Sequence, residues 1–213
     1  MSRYDLSALA NAPQQKRSRE LSHRILAAAE AVLRRDGVEN FVISAVAAEA
    51  GVSVGGIYGR FRNREELLVA IHREVITRLD NQVTQTLSRT DFGGLSEVLH
   101  AFVREMTERF RADGPVYAAA PKPSENDAPR RTARLIQEHL LEALTAAIQP
   151  FRRELTHPDP EAALRVLLQM LIGALLRRAN APTGPGDPSI AWTVMGEELG
   201  RASVAYLMYA PPA

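Results

Sequence analysis

Apolar residues recur at intervals of three and four along most of the chain, the spacing of one buried helix face. Leu21, Ile25, Ala28, Val32 and Leu33 predict a first helix over residues 18–35, ended by Asp36 and Gly37. Leu67, Leu68, Ile71, Val75 and Leu79 form the stripe of a long helix over 64–88. After a break at Thr90-Asp91-Phe92-Gly93-Gly94, residues Leu95, Val98, Leu99, Phe102, Met106 and Phe110 predict a helix over 95–113. Leu135, Ile136, Leu140, Leu141, Leu144 and Ile148 predict another over 130–155, disturbed at Pro150. Residues 161–179, with the run VLLQMLIGALL, and 189–209 supply the last two. The expected class is all-α. The apolar run is far short of the roughly 20 residues a bilayer requires, so no membrane partner is expected.

Between the first two long helices the pattern shortens. Residues 43–50 carry Val46, Ala47 and Ala50 on one side; Gly51-Val52-Ser53 follows, and 54–60 is anchored by Ile57, with Phe61 four residues on. Gly51 can take positive φ where the chain reverses, and Ser53 is a good N-cap. Ala47 to Gly51 is four residues and Gly51 to Ile57 six, the spacing of a helix-turn-helix. An ordinary αα corner fits the same spacing.

The surrounding residues AVAAEAGVSVGGIYGRFRNREELL separate these readings. They resemble the DNA-binding signature of the tetracycline-repressor-like (TetR) family of bacterial regulators, over residues 22–68. The likeness is carried by Arg24-Ile25-Leu26-Ala27-Ala28-Ala29, by Gly37, by Ala-Gly-Val-Ser at the turn, by Tyr58 and Phe61 three apart, and by Arg64, Glu65 and Leu67. Three positions depart from it. Val42 stands where a capping threonine or serine is usual, Gly56 where threonine, serine or alanine is common, and Arg60 where histidine or tyrosine is common.

The resemblance implies a flexible arm (1–17), a three-helix DNA-binding domain (18–64) and a ligand-binding and dimerisation domain (65–213). It also implies a cytoplasmic homodimer acting on a palindromic double-stranded operator, most commonly as a repressor, released by a small molecule. In such proteins a shift of the long helix after the head is held to carry the ligand signal.

Charge agrees with a DNA-binding first third. Through Arg64 the chain has ten Lys or Arg against six Asp or Glu, a net of +4, whereas the whole chain is +1 and the remainder therefore −3. Scatter can produce a difference of this size. Cysteine is absent, so disulfides and thiolate sites are excluded.

Candidate DNA contacts are Lys16, Arg17, Arg19, Ser44, Ser53, Val54, Gly55, Gly56, Tyr58, Gly59, Arg60 and Arg64. The segment 54–60 holds three glycines, each costing about 0.8 to 1 kcal/mol relative to alanine in a helix interior, but leaving the backbone free to approach a groove. Tyr58 suits a phosphate contact or half-buried packing, and Arg60 or Arg64 a phosphate or base edge. Asn63 and Glu66 form a capping box beside Arg64. Residues 1–15 are polar, broken by Pro13 and without the apolar core of a secretory signal, so a loose arm is expected. Lys16-Arg17-Ser18-Arg19 is either a minor-groove arm or a solvated charge run.

In the remainder, residues 114–129 carry prolines at 115, 121, 123 and 129 and read as a long connection with a short helical turn near Val116, either a lid or an idle loop. Residues 181–188 form a second loop. The family resemblance implies an effector pocket; His72, Phe102, Met106, Tyr117, His139, Gln169 and Met170 are its candidate walls, each also explicable as core, and an apolar wall fits a hydrophobic or aromatic molecule. Leu171, Gly173, Ala174, Trp192, Gly196, Leu199 and Gly200 are candidate dimer contacts, since small residues let helices approach. Packing inside one chain explains the same pattern, and the resemblance favours the dimer.

No catalytic residue, metal or cofactor is expected. Glu20-x-x-His23 and Glu97-x-x-His100 have di-iron spacing but lack partner glutamates. The alternative function is a helical binding or scaffold protein whose head has lost DNA contact.

Overall fold

In the computed structural model the chain is described over residues 7–119, 128–181 and 190–209. The described residues form eight α-helices and no strand: α1 Ser7–Asp36, α2 Ile43–Ala50, α3 Val54–Tyr58, α4 Arg64–Leu87, α5 Leu95–Ala118, α6 Ala128–Ile148, α7 Pro160–Ala179 and α8 Trp192–Leu207, with a 3-10 turn at Gln149–Glu154. The fold is all-α. No described helix is long and apolar enough to cross a membrane. The chain divides into two compact units, Met1–Ile71 and His72–Ala213.

The first unit, the head, is built on α1, α2 and α3. Ile25, Ala29, Val32 and Leu33 of α1 are fully buried, with Val46 of α2 and Ile57 of α3. Fully burying a side chain the size of Ile57 stabilises by about 1.5 to 3 kcal/mol, which holds a helix too short to persist alone.

In the second unit α5 is the central rod. Leu95, Leu99, Phe102 and Met106 are fully buried, and α6, α7 and α8 all pack on α5. Two polar contacts tie α4 in: Arg109 of α5 donates to the Gln82 side-chain Oε1 at 3.1 Å, and His139 of α6 lies 2.8 Å from Asp80.

Several boundaries differ from the sequence expectation. α1 starts at Ser7, not residue 18, so the expected loose arm is helical over most of its length despite Pro13. Ala8, Leu9, Ala10, Gln14 and Gln15 are good helix formers, and polarity alone hid them. α5 runs through Gly114 and Pro115 to Ala118. Burial explains the extra turn: Val116 and Tyr117 are buried, and Tyr117 stacks on Phe110 at 4.3 Å between ring centroids. α3 closes at Tyr58, two residues early, at Gly59. Of the expected lid-or-loop, residues 120–127 lie outside the described residues, and α6 begins at Ala128, two residues early; most of the loop after α7 also lies outside them.

Candidate nucleic-acid interface

The helix-turn-helix is made by local chemistry. Gly51 adopts the left-handed conformation (φ 63°, ψ 41°), and its N–H and that of Val52 donate to the last carbonyls of α2. Ser53 then takes an extended conformation, and its hydroxyl accepts the Gly56 N–H at 3.0 Å. Ile57 is wholly buried and Phe61 nearly so, which fixes the roll of α3. α2 itself has no side-chain cap, since Val42 stands at its N-cap. At α4, Asn63 accepts the Glu66 N–H at 2.8 Å, and Glu66 reaches back to the Arg62 N–H at 2.7 Å. That hydrogen bond holds the Glu66 carboxyl below its ordinary range.

Arg60 and Arg64 are turned into the head. Arg64 donates from Nε to the Phe41 carbonyl at 3.0 Å and from Nη2 to the Val38 carbonyl at 2.7 Å. Its guanidinium carbon also lies 5.6 Å from the Phe41 ring centroid. Arg60 donates to the hydroxyls of Ser22 and Ser18 in α1, both at 3.3 Å. The end of α3 is thereby tied to the turn of α1 that carries the exposed Arg17 and Arg19. The side chain of Lys16 lies outside the described residues.

What α3 leaves to solvent is mostly bare backbone and apolar surface, with the Tyr58 side chain at its end. Val54 and Tyr58, four apart on one face, are 41% and 50% exposed; Gly55 and Gly59 are exposed beside them, and Ser44 of α2 is exposed as well. None of the α3-segment glycines has positive φ. A Cβ at Gly55 would find only the Ser53 hydroxyl, at 3.9 Å, and one at Gly56 the same oxygen at 3.4 Å and the Val52 Cβ at 3.8 Å. The fold thus has room for alanine at Gly55, and glycine there lowers helix stability by about 0.8 to 1 kcal/mol without a structural return. Arg62, absent from the sequence candidates, has the most exposed guanidinium paired in the head, facing Glu66 at 3.3 Å. Only its exposure distinguishes it.

The candidate effector residues fall into two groups. Phe102, Met106 and Tyr117 are buried residues of α5, and His72 meets the Tyr117 ring edge-on at 6.4 Å. Burial pushes the His72 imidazole below its ordinary range. Gln169 and Met170 instead lie on the exposed side of α7, and His139 is half exposed at its contact with Asp80. A cleft of about 410 Å³ that the pattern did not reveal lies between α5 and α8, lined by His100, Arg104, Thr107, Trp192, Gly196 and Glu197.

The small residues of the last two helices also part ways. Gly196 and Gly200 turn toward α5, where a Cβ would stand 3.2 Å from Thr107 and 2.8 Å from His100. Within one chain, then, their close approach is to α5. Leu171 is buried, Ala174 and Leu199 are half-buried, and Trp192 lies under the Arg178 guanidinium at 5.0 Å. Gly173 is open, with Val166, Met170 and Val194 exposed on the same pair of helices. Glu97 and His100 have separate tasks: Glu97 accepts the Gly93 N–H at 2.7 Å, and His100 bonds the Ser96 carbonyl at 2.7 Å.

Residues 25–71 match the model of the bacterial regulatory proteins of the tetR family. The whole fold is similar to that of solved regulators. The transcriptional regulator FadR from Bacillus subtilis, in complex with stearoyl-CoA, is 17% identical with a TM-score of 0.63, covering 87% of this chain and 98% of that one. A TetR-family transcriptional regulator from Streptomyces coelicolor is 22% identical with a TM-score of 0.59, covering 87% and 98%. The multidrug binding protein EbrR, complexed with imidazole, is 23% identical with a TM-score of 0.58, covering 90% and 96%. No curated protein matches.

Proposed function

Since the chain is a TetR-family transcriptional regulator, we propose that it represses by binding a palindromic double-stranded operator as a homodimer, and that a small, mainly hydrophobic molecule releases it. Residues 18–64 act as the DNA-binding domain and 65–213 as the regulatory domain. The observation that carries this reading is the exposed face of α3: bare backbone at Gly55 and Gly59, framed by Val54 and Tyr58, on a helix whose other side is held by Ile57 and Arg60. A face without side chains serves a groove better than it serves the protein's own stability.

Phosphate contacts come from Tyr58, Ser44 and the exposed Arg17 and Arg19, which carry no sequence information themselves but set the register. Arg60 and Arg64 position the module. The dimer is made by the exposed sides of α7 and α8, where Val166, Met170 and Val194 are each more than two-fifths exposed. The effector enters beside His72, Phe102, Met106 and Tyr117, an apolar and aromatic group. The structural relatives that hold stearoyl-CoA or bind multiple drugs support a ligand of that character.

Capture of genomic DNA fragments on the purified protein, followed by sequencing, tests the reading. A recurrent palindrome is expected, with two chains bound per copy and hydrophobic or aromatic compounds releasing it. Recovery of no sequence above background would leave the head as a scaffold.

A further inference from the structure

Base recognition by an α-helix ordinarily uses side chains that hydrogen-bond to base edges: arginine or lysine for guanine, asparagine or glutamine for adenine. The outward side of α3 has none of these. Ser53 accepts the Gly56 N–H and offers only its hydroxyl proton, the Arg60 guanidinium faces Ser18 and Ser22, Gly55 and Gly59 have no side chain, and Ile57 is buried. Tyr58 keeps an exposed ring and hydroxyl at the far end of the helix. What remains is Val54, an apolar side chain 41% exposed and flanked by Gly55, beside which no neighbouring atom except the Ser53 hydroxyl comes within 4 Å of a Cβ position.

Val54 leaves 41% of its surface in solvent, and valine is a poorer helix former than alanine, so neither core burial nor helix propensity accounts for it. In the major groove one base carries a feature that such a side chain recognises, the C5-methyl group of thymine. The missing Cβ at Gly55 removes the obstacle that would hold those methyls away from the base edge.

Resting on the DNA-binding reading above, we infer that Val54 is a specificity-determining residue that selects a thymine in each operator half-site through contact with its C5-methyl group. Recognition by α3 is then apolar and steric, with hydrogen bonding from side chains confined to the phosphates. The class of target follows: an operator whose half-sites each place an A·T pair, with thymine oriented toward Val54, under the start of α3.

The test uses full-length protein and the duplex enriched by selection from random DNA. Each thymine is replaced singly by deoxyuridine, which deletes only the methyl group. One position per half-site is expected to lose about fourfold in affinity, the effect of one buried methyl, and about fifteenfold when both half-sites are changed. Val54→Ala should lose the thymine preference and bind the thymine and uracil duplexes alike. An enriched duplex whose thymines can all be replaced without loss would overturn the inference while leaving operator binding intact, as would a Val54→Ala protein that still discriminates thymine from uracil. If no duplex is enriched, the DNA-binding reading falls and this inference with it.

Discussion

The Arg64 guanidinium donates to the Phe41 carbonyl at 3.0 Å, joining residues 23 positions apart and closing the turn between α1 and α2 onto the start of α4. Its second donation, to Val38 at 2.7 Å, uses the planar fork that lysine lacks. Arg64→Ala leaves two carbonyls in a partly buried turn without their charged donor and should destabilise the head by about 2 kcal/mol. Arg64→Lys should recover less than half of that. Chemical denaturation followed by circular dichroism measures both.

Gly55→Ala should move stability and function in opposite directions. The protein has space for the added methyl, so helix propensity favours the variant by up to about 1 kcal/mol. The same methyl stands on the surface assigned to the groove, and operator affinity should fall tenfold or more, an estimate of about 1.4 kcal/mol or above. A stabilised variant with unaltered DNA affinity would place the groove elsewhere.

Local chemistry made the turn and α3 legible in the sequence. Gly51, Ser53 and Ile57 act within ten residues of one another, and each has one dominant reason to be what it is. The tasks of Arg60 and Arg64 were hidden because their acceptors, Ser18, Ser22, Val38 and Phe41, are distant in sequence. The end of α5 was hidden because Pro115 argues for a break, whereas burial of Val116 and Tyr117 outweighs it. For Gly196 and Gly200, spacing shows that some helix comes close but not that the helix is α5.

Gly200→Ala and Gly173→Ala form a matched pair. At Gly200 a Cβ would lie 2.8 Å from the His100 ring, itself anchored to the Ser96 carbonyl, so overpacking should cost about 1 to 3 kcal/mol. At Gly173 no neighbouring atom lies within 4 Å, and the change should be neutral or stabilising by up to about 1 kcal/mol for folding of the chain. Combining Gly200→Ala with His100→Ala should recover part of the loss. Thermal melts of the four proteins decide this.

His72 should make the regulatory unit acid-sensitive. Burial depresses its pKa, so the unfolded chain binds the proton more readily than the folded one. Stability from this group is fully present above about 6.5, the ordinary histidine value, and is lost as pH falls from there toward the depressed folded value. His72→Phe should flatten that limb in a series of melts between about pH 7.5 and pH 5, whereas an unchanged limb would assign it to another group.

The most direct measurement is the affinity of the full-length protein for its captured palindrome as a function of salt. A dimer contacting phosphates through Arg17 and Arg19 of both heads should lose about a hundredfold in affinity or more between roughly 50 and 200 mM salt, with log affinity linear in log salt. Affinity that is weak and independent of salt, or a single chain bound per duplex, would contradict the account.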